Sequence, residues 1–143
     1  MSGASKEEIK AIVAGLRKSA LLSGLNDRDL KRLAQIALVR QIAKDSVIVT
    51  RGEKGIGFYV VLSGRVQVRK GGKVVAHLGP GDFFGELALF ENRPRSADVV
   101  AVESTRVVVL SRWEFWGFAS ERSDLLRIII QEMARRIAQT EAI

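Results

Sequence analysis

Between Ala37 and Ser111 the chain is built from short β-branched runs separated by glycines and other turn residues. "DSVIVT", "GFYVVLSGRVQVRKGGKVVAHLGPG" and "ADVVAVESTRVVVLS" contain these runs. Short strands that recur at close spacing are typical of a sandwich, a jelly roll or a small barrel. The pattern therefore predicts that the middle of the chain is an antiparallel β structure.

Two glycine-containing dipeptides predict hairpin connections, one at Ser63-Gly64 and one at Gly71-Gly72. Two further strands are expected on either side of Glu103-Ser104. Across the Gly71-Gly72 turn the alternation predicts which residues face one another, namely Val66 and Val68 on one strand and Val74, Ala76 and Leu78 on the other.

Helical patterns flank this β zone on both sides. In residues 1–36, Ser5 and Glu8 form a capping box and Asn26 is a candidate N-cap, so two amphipathic helices are expected. In residues 112–143 we expect a short helix near Arg112 and a longer one after Ser123 as its N-cap. The apolar arc of the longer helix is wide, and the helix either covers the β core alone or packs against a second surface as well. The arc contains Leu125, Leu126, Ile128, Ile129, Ile130, Met133 and Ile137.

Length and composition limit the classes of protein that the chain can form. With 143 residues, 47% of them hydrophobic, it is expected to fold as a single globular domain, 1–143. No apolar run approaches the roughly 20 residues of a membrane span, and no secretory signal opens the chain, so a cytoplasmic location is expected. Because the chain has no cysteine and one histidine, His77, a thiol nucleophile, a cysteine zinc site and a multi-histidine metal cluster are excluded.

The formal net charge of +7 raises the possibility of a polyanionic partner. The basic residues are spread over every segment and are not interleaved with aromatic residues, as they are on single-strand binding surfaces. We therefore expect no direct binding of nucleic acid.

The stretch "DFFGELALFENRPRSADV", Asp82 to Val99, departs from the strand pattern. It predicts a strand end over 82–84, a tight turn at Gly85 and a short helix that starts near Glu86. A helix start presents unpaired backbone N–H groups to an anion, and glycine allows a close approach. Glu86 cannot bind phosphate but can accept hydrogen bonds from a sugar hydroxyl. A sugar phosphate satisfies both features.

Arg95 follows the loop after this helix and supplies a positive charge. Its planar guanidinium can donate two parallel hydrogen bonds to phosphate oxygens, and Pro94 stiffens the backbone before it. Ser96 adds a hydroxyl, and one arginine with amides suits a monoanionic diester. The alternative is that Glu86 and Arg95 form a surface ion pair of little energetic value.

These residues resemble the phosphate-binding cassette of the cyclic nucleotide-binding domain family, which includes the catabolite activator protein, regulatory subunits of protein kinase A and cyclic nucleotide-gated channels. The likeness covers "GPGDFFGELALFENRPRSADVVA" and "GFYVVLSGRVQV" and extends over roughly Leu21 to Arg136. It implies a mainly β fold, in which N-terminal helices (1–36) precede an eight-stranded antiparallel jelly-roll β-barrel (37–111). The cassette would span 81–98, and C-terminal lid helices would span 112–143.

The resemblance also implies roles for individual residues. Glu86 would accept a hydrogen bond from the ribose 2′-hydroxyl, and Arg95 would bind the cyclic phosphate. Serine rather than threonine at Ser96 favours cyclic AMP (cAMP) over cyclic GMP. The backbone amides of Gly85, Leu87 and Ala88, together with Ser96, would complete the contacts to the phosphate. Three apolar strand residues would lie against the base: Val66, Val68 and Val75.

Two departures from the family pattern accompany the resemblance. Ile56 stands where family members often carry an acidic residue, in a turn outside the cassette. No helix-turn-helix follows the last helix, so we expect no direct DNA binding, and the chain would be a stand-alone sensor or a domain cut from a larger protein.

The function expected from the resemblance is ligand binding without turnover. The C-terminal helix would close over the base and signal to an effector protein or a missing output domain, and it could also support a homodimer. The chain would not be an enzyme and would need no cofactor or metal, because one histidine cannot support metal-assisted hydrolysis. Two alternatives stay open: an interaction or dimerisation module that binds no nucleotide, and a receptor for a cyclic dinucleotide.

Overall fold

The structure, a computed structural model, describes residues 5–19, 22, 24–55, 57–89 and 94–138. Within these residues two helices precede a β core and two helices follow it. The elements are α1 (Lys6–Arg17), α2 (Asp27–Ile36), β1 (Leu38–Ile42), β2 (Val47–Val49), β3 (Gly57–Ser63), β4 (Val66–Lys70), β5 (Lys73–Leu78), β6 (Phe83–Phe84), a 3₁₀ helix (Glu86–Leu89), β7 (Asp98–Ala101), β8 (Thr105–Ser111), α3 (Arg112–Ala119) and α4 (Ser123–Ala138).

The eight strands form two four-stranded sheets, and every strand pair is antiparallel. The first sheet has the order β1-β8-β3-β6 and the second has the order β2-β7-β4-β5. This confirms the eight-stranded antiparallel fold with flanking helices. The two sheets are not joined into a closed barrel, so the expected barrel is corrected to two separate sheets that share an apolar core.

The two central strands of the first sheet, β3 and β8, are largely buried on both faces, which explains their continuous runs of apolar residues. In β3, Phe58 and Val60 lie in an apolar cluster with the helices, whereas Val61 lies in a second cluster with residues of the other sheet. Alternate side chains of a strand point to opposite faces. A strand covered on both sides therefore reads "FYVV" rather than alternating with polar residues.

The expected caps of the N-terminal helices are confirmed. The Ser5 hydroxyl accepts a hydrogen bond from the backbone N–H of Glu8 at 3.1 Å, and the side chain of Asn26 accepts from the N–H of Asp29 at 2.9 Å. Each cap satisfies an amide that has no partner inside its own helix. The two helices then pack their apolar faces into the first cluster.

Of the two expected hairpins, one is confirmed and one is wrong. Gly71 and Gly72 join β4 to β5 with φ values of 58° and 80°, the left-handed conformation of a two-residue turn. Ser63-Gly64 does not close a hairpin, because β3 pairs in the first sheet and β4 in the second. Gly64 instead carries the chain between sheets and lies so near Thr105 that a Cβ would be 2.4 Å from its hydroxyl oxygen.

The predicted pairing across the Gly71-Gly72 turn holds for two of its three residues. Val66 pairs with Leu78 and Val68 with Ala76, but Val74 lies opposite Arg69. The register shifts between these pairs, so Val75 is the extra residue of a β-bulge. The bulge breaks the alternation of faces, which leaves Val74 and Val75 both exposed.

The C-terminal zone forms two helices, as expected up to residue 138, and the expected continuation over 139–143 lies outside the described residues. Ser111 caps α3, and α4 begins at Ser123 itself, so Ser123 is the first helical residue and not an N-cap. The apolar arc of α4 is divided: Leu125 and Ile129 are buried in the first cluster, whereas Ile130 is 61% exposed. The side chains of Met133 and Ile137 lie outside the described part.

Candidate functional site

The predicted cassette begins with a strand of two phenylalanines, Phe83 and Phe84, that point to opposite faces of the first sheet. Phe83 lies in the cluster shared with the helices, and Phe84 lies in the cluster between the sheets. The ring of Phe84 stacks on that of Tyr59, with centroids 4.9 Å apart and planes 6° from parallel. The start of the cassette is therefore held rigidly on both sides of the sheet.

Gly85 turns the chain from this strand into the 3₁₀ helix. Its φ is 80°, a conformation that residues with a Cβ rarely adopt, so the predicted tight turn is confirmed. The N–H of Ala88 donates to the carbonyl oxygen of Gly85 at 3.1 Å. The predicted helix is thus a single 3₁₀ segment of four residues, Glu86–Leu89, that follows Gly85 directly.

Arg95 is brought back against this turn. Its side chain is buried, with 7% relative exposure, and its Nη1 donates to the carbonyl oxygen of Gly85 at 3.0 Å. Its Nη2 donates to the carbonyl oxygen of Gly57 at 2.7 Å. The guanidinium is thus buried and bonded to two backbone carbonyls, and an ion pair with Glu86 stays untested because the side chain of Glu86 lies outside the described part. The structure therefore joins two of the predicted site residues, Gly85 and Arg95.

The other cassette residues have different environments. Ala88 is buried at 4% exposure and Ser96 is exposed. The backbones of Glu86 and Leu87 lie in the 3₁₀ helix, but their side chains lie outside the described part of the chain. The contact expected between Glu86 and a ribose thus stays a prediction.

The three residues expected near the base lie on β4 and β5. Val66 and Val68 point between the two sheets, where they are 0% and 1% exposed. Val75 is 53% exposed because it occupies the bulge of β5. The structure brings Val66 and Val68 into one apolar cluster with Phe84, and it leaves Val75 outside that cluster.

Sequence reasoning missed Gly57, whose carbonyl oxygen accepts from Arg95. Gly57 pairs with Ser111 in β8, and a Cβ on it would lie 2.3 Å from the carbonyl oxygen of Leu110. The only signal was the spacing of the two glycines in "EKGIGF". Ile56, between them, lies outside the described residues.

The cassette is connected to the C-terminal helices. The indole N–H of Trp116 in α3 donates to the carbonyl oxygen of Leu89, the last residue of the 3₁₀ helix. Leu89 is buried in the same apolar cluster as Leu125 and Ile129 of α4. The 3₁₀ helix therefore contacts α3 directly and shares an apolar cluster with α4.

An ion-pair group joins the turn between α3 and α4 to α2. Arg122 donates to both carboxylate oxygens of Asp124, at 3.0 and 2.8 Å, and also to Asp29. The hydrogen bonds from Arg122 lower the pKa of Asp124 from 3.8 to about 2. Hydrogen bonds to Asp124 and Asp29 raise the pKa of Arg122 above its usual range. Both side chains therefore stay charged at neutral pH.

The described residues include no group of three or more histidines, aspartates or glutamates placed to hold a metal ion. None of the helices described there is long and apolar enough to cross a bilayer.

Two curated relatives align with most of this chain, and both are longer than it. The Pycsar effector protein XpPycTIR of Xanthomonas perforans is 33% identical over 132 residues, which are 91% of this chain and 43% of the relative. The regulatory subunit of cAMP-dependent protein kinase from Debaryomyces hansenii is 35% identical over 113 residues, 78% of this chain and 25% of the relative. The chain thus spans less than half the length of these two relatives.

Solved structures resemble the fold as well. The catabolite activator protein of Thermus thermophilus has a TM-score of 0.79 and 30% identity, over 86% of this chain and 60% of that one. The regulatory domain of Toxoplasma gondii protein kinase A, crystallised with cAMP, has a TM-score of 0.73 and 31% identity, over 80% of this chain and 46% of that one.

The family model of the cyclic nucleotide-binding domain matches residues 39–122. This range includes all eight strands except the first residue of β1, and it contains the complete cassette and α3. The resemblance seen in the sequence is therefore confirmed, and the chain belongs to the cyclic nucleotide-binding domain family.

Proposed function

We propose that this chain is a receptor module for a cyclic mononucleotide and that it binds cAMP in preference to cyclic GMP. The observation that carries the proposal is the buried guanidinium of Arg95, which lies beside Gly85 at the start of the cassette. In a bound state, the planar guanidinium of Arg95 would donate parallel hydrogen bonds to phosphate oxygens in place of backbone carbonyls. A cyclic phosphate diester carries one negative charge and suits a site with one arginine and nearby amides.

The sugar and the base would be bound on either side of the phosphate. Glu86 would accept from the ribose hydroxyl, and the amides of Gly85 and Leu87 with Ser96 would bind the phosphate. The amide of Ala88 would join them on leaving the carbonyl oxygen of Gly85, to which it donates here. The base would lie near Val66 and Val68, with Val75 at the margin. These valines offer no hydrogen-bonding side chain, so they would select a flat apolar ring and not a particular base edge.

The preference for cAMP has two supports. Serine at Ser96 is the residue that the family resemblance associates with cAMP, and two of the similar proteins, the D. hansenii regulatory subunit and the T. gondii domain, carry cAMP in their names. Binding would occur without hydrolysis, in the cytoplasm, and the chain would act as a regulatory sensor. Its output would be read by an attached domain or an effector protein.

Movement of α4 would carry the signal. In the present structure Leu125 and Ile129 pack with the helices, and the cluster between the sheets contains no α4 residue among those described. A lid over the base would therefore require α4 to leave this position, and its exposed Ile130 is one side chain that could then be covered. Hydrogen exchange over residues 123–138, with and without saturating cAMP, tests this step, and unchanged exchange would refute the lid.

The binding proposal is tested with a panel of nucleotides on the wild-type chain and on Arg95→Ala. The panel contains cAMP, cyclic GMP, cyclic di-GMP and linear AMP, and binding is measured by thermal shift and calorimetry. A ligand at about 100 times its dissociation constant stabilises the fold by about 2.7 kcal/mol. Arg95→Ala is expected to weaken binding by about 2 to 5 kcal/mol, because a desolvated charged partner is lost.

The panel also separates the alternatives. A response to cyclic di-GMP alone would favour a cyclic dinucleotide receptor. No response to any cyclic nucleotide, or an equal response in Arg95→Ala, would reject the proposal. Chromatography of cAMP after prolonged incubation with the chain should recover it intact, and appearance of linear AMP would show that the chain is an enzyme.

The exposed side chains of Trp113 in α3 and Ile130 in α4 favour a second function, assembly through the C-terminal helices, since they are 63% and 61% exposed. Sedimentation of the wild-type chain and of Ile130→Glu distinguishes this function from ligand binding. A homodimer that the substitution dissociates would support it, and a monomeric wild-type chain would exclude it.

A further inference from the structure

Gly55, outside the cassette, lies directly against the guanidinium of Arg95. A Cβ placed on Gly55 would be 2.1 Å from Cζ, Nε and Nη2 of Arg95, and these are its three nearest atoms. Carbon atoms in contact are normally about 3.5 to 4.0 Å apart. No side chain can therefore occupy position 55 while Arg95 keeps its present place.

The described residues of the segment 52–57 also hold the backbone of Arg95. The N–H of Gly52 donates to the carbonyl oxygen of Arg95 at 2.9 Å, and the N–H of Arg95 donates to the carbonyl oxygen of Glu53 at 2.8 Å. With the bond from Nη2 to Gly57, this segment contacts Arg95 at its backbone and at the end of its side chain. The described part of the loop between β2 and β3, together with Gly57, thus forms one wall of the arginine's position.

The opposite wall is Gly85, but the two glycines differ in why they are needed. At Gly85 a Cβ would lie 2.7 Å from Nη1 of Arg95, and the φ of 80° also disfavours other residues. The φ of Gly55 lies outside the left-handed region. The backbone at position 55 therefore accepts alanine, and the clash with Arg95 is the reason for a glycine there.

We propose that Gly55 is a positioning residue for the phosphate site: it admits the guanidinium of Arg95 between the two glycines and fixes its plane. The inference rests on the proposed function, because the arginine is positioned for an anionic phosphate. A guanidinium recognises phosphate through hydrogen bonds in a fixed plane, so a shift of its position weakens binding without removing the charge. Gly55 acts through Arg95 and does not itself contact the ligand.

The test is a double-mutant cycle with cAMP as the probe. Gly55→Ala is expected to weaken binding about tenfold or more, and Arg95→Ala about 30-fold or more. In the double variant Gly55→Ala should add nothing to the loss caused by Arg95→Ala, because its effect passes through the missing side chain. The matched control is Gly117→Ala in α3, where a Cβ would meet nothing within 4 Å, and it should bind as the wild type does.

A second readout does not depend on the ligand. The Nε–H signal of Arg95 in a proton–nitrogen correlation spectrum of the wild-type chain should be shifted from the signals of exposed arginines. In Gly55→Ala it should move toward them, and in Gly117→Ala it should stay in place. If Gly55→Ala does not fold, the double variant with Arg95→Ala should fold again, because the clash is removed.

The outcomes separate this inference from the proposed function. If the wild-type chain binds no cyclic nucleotide, the function is wrong, and the Nε–H signal alone decides whether Gly55 positions Arg95. The inference is overturned if Gly55→Ala binds cAMP like the wild type or leaves the Nε–H signal unchanged. It is also overturned if Gly55→Ala weakens cAMP binding as much in the Arg95→Ala chain as in the wild type. Failure of the double variant to fold overturns it as well.

Discussion

Trp116 of α3 donates its indole N–H to the carbonyl oxygen of Leu89 at the end of the 3₁₀ helix. The two residues are 27 positions apart, and the bond joins the cassette to the first C-terminal helix. Trp116 also makes an edge-to-face contact with Phe115, with ring centroids 5.7 Å apart. The cassette and α3 are therefore expected to move as one unit.

Replacing Trp116 with phenylalanine keeps an aromatic ring but removes the N–H donor. The carbonyl oxygen of Leu89 would then lack this donor. Because Leu89 is buried, the free energy of unfolding, measured with urea, is expected to fall by about 1 to 2 kcal/mol. Trp113→Phe is the control, because Trp113 is exposed and should change stability by less than about 0.5 kcal/mol. Equal effects of the two substitutions would argue against a structural bond at Trp116.

The packing of α4 is tested with two neighbouring isoleucines. Ile129 is fully buried, so Ile129→Ala is expected to cost about 2 to 5 kcal/mol of unfolding free energy. Ile130→Ala should lie within about 0.5 kcal/mol of the wild type, because Ile130 is exposed and alanine favours a helix. If Ile130→Ala were the more damaging change, α4 would present a different face to the core.

Two glycine substitutions should have opposite signs. Gly117→Ala fills open space in α3 and is expected to stabilise the fold by about 0.5 to 1 kcal/mol. Gly64→Ala should destabilise it by more than about 1 kcal/mol, because its φ is 92° and a Cβ would meet Thr105 and the carbonyl of Ser104. Thermal and urea unfolding of both variants checks the signs, and stabilisation by Gly64→Ala would be inconsistent with the described crossing between sheets.

The lowered pKa of Asp124 predicts that the stability of the fold depends on pH in the acid range. Its pKa is about 2 in the folded chain against an ordinary 3.8, because of its bonds to Arg122. A carboxylate whose pKa is lowered by folding stabilises the fold above its unfolded pKa and loses this effect as the pH falls through the folded value. The wild type should therefore exceed Asp124→Asn in stability by a constant amount above about pH 5, and the gap should close toward about pH 2.

Urea unfolding of both chains at a series of pH values measures this gap. Asp124→Asn is itself the reference, because asparagine does not titrate and the other carboxyl groups are shared by the two chains. A gap that keeps its full size at about pH 2 would contradict the lowered pKa.

Local sequence signals correctly predicted the turn at Gly85 and the caps of the two N-terminal helices, but not the start of α4, where Ser123 is the first helical residue. Gly85 introduced the tight turn, Ser5 and Asn26 capped their helices, and the Gly71-Gly72 turn closed its hairpin. These features depend on residues within a few positions of one another. The same reasoning failed at Ser63-Gly64, because a glycine dipeptide does not tell whether the next strand pairs with the previous one or joins another sheet.

The sequence by itself determined a series of short strands, the flanking helices and the turn at Gly85, since backbone propensity, caps and glycine conformation act over a few residues. The number of eight strands followed from the family resemblance. Only the tertiary structure decided where the guanidinium of Arg95 lies, because its partners Gly57 and Gly85 are 38 and 10 residues away. It also decided which side of α4 is buried, since a helix with a wide apolar arc has several faces that can pack. Such choices follow from the fit between distant surfaces, which no short stretch of sequence contains.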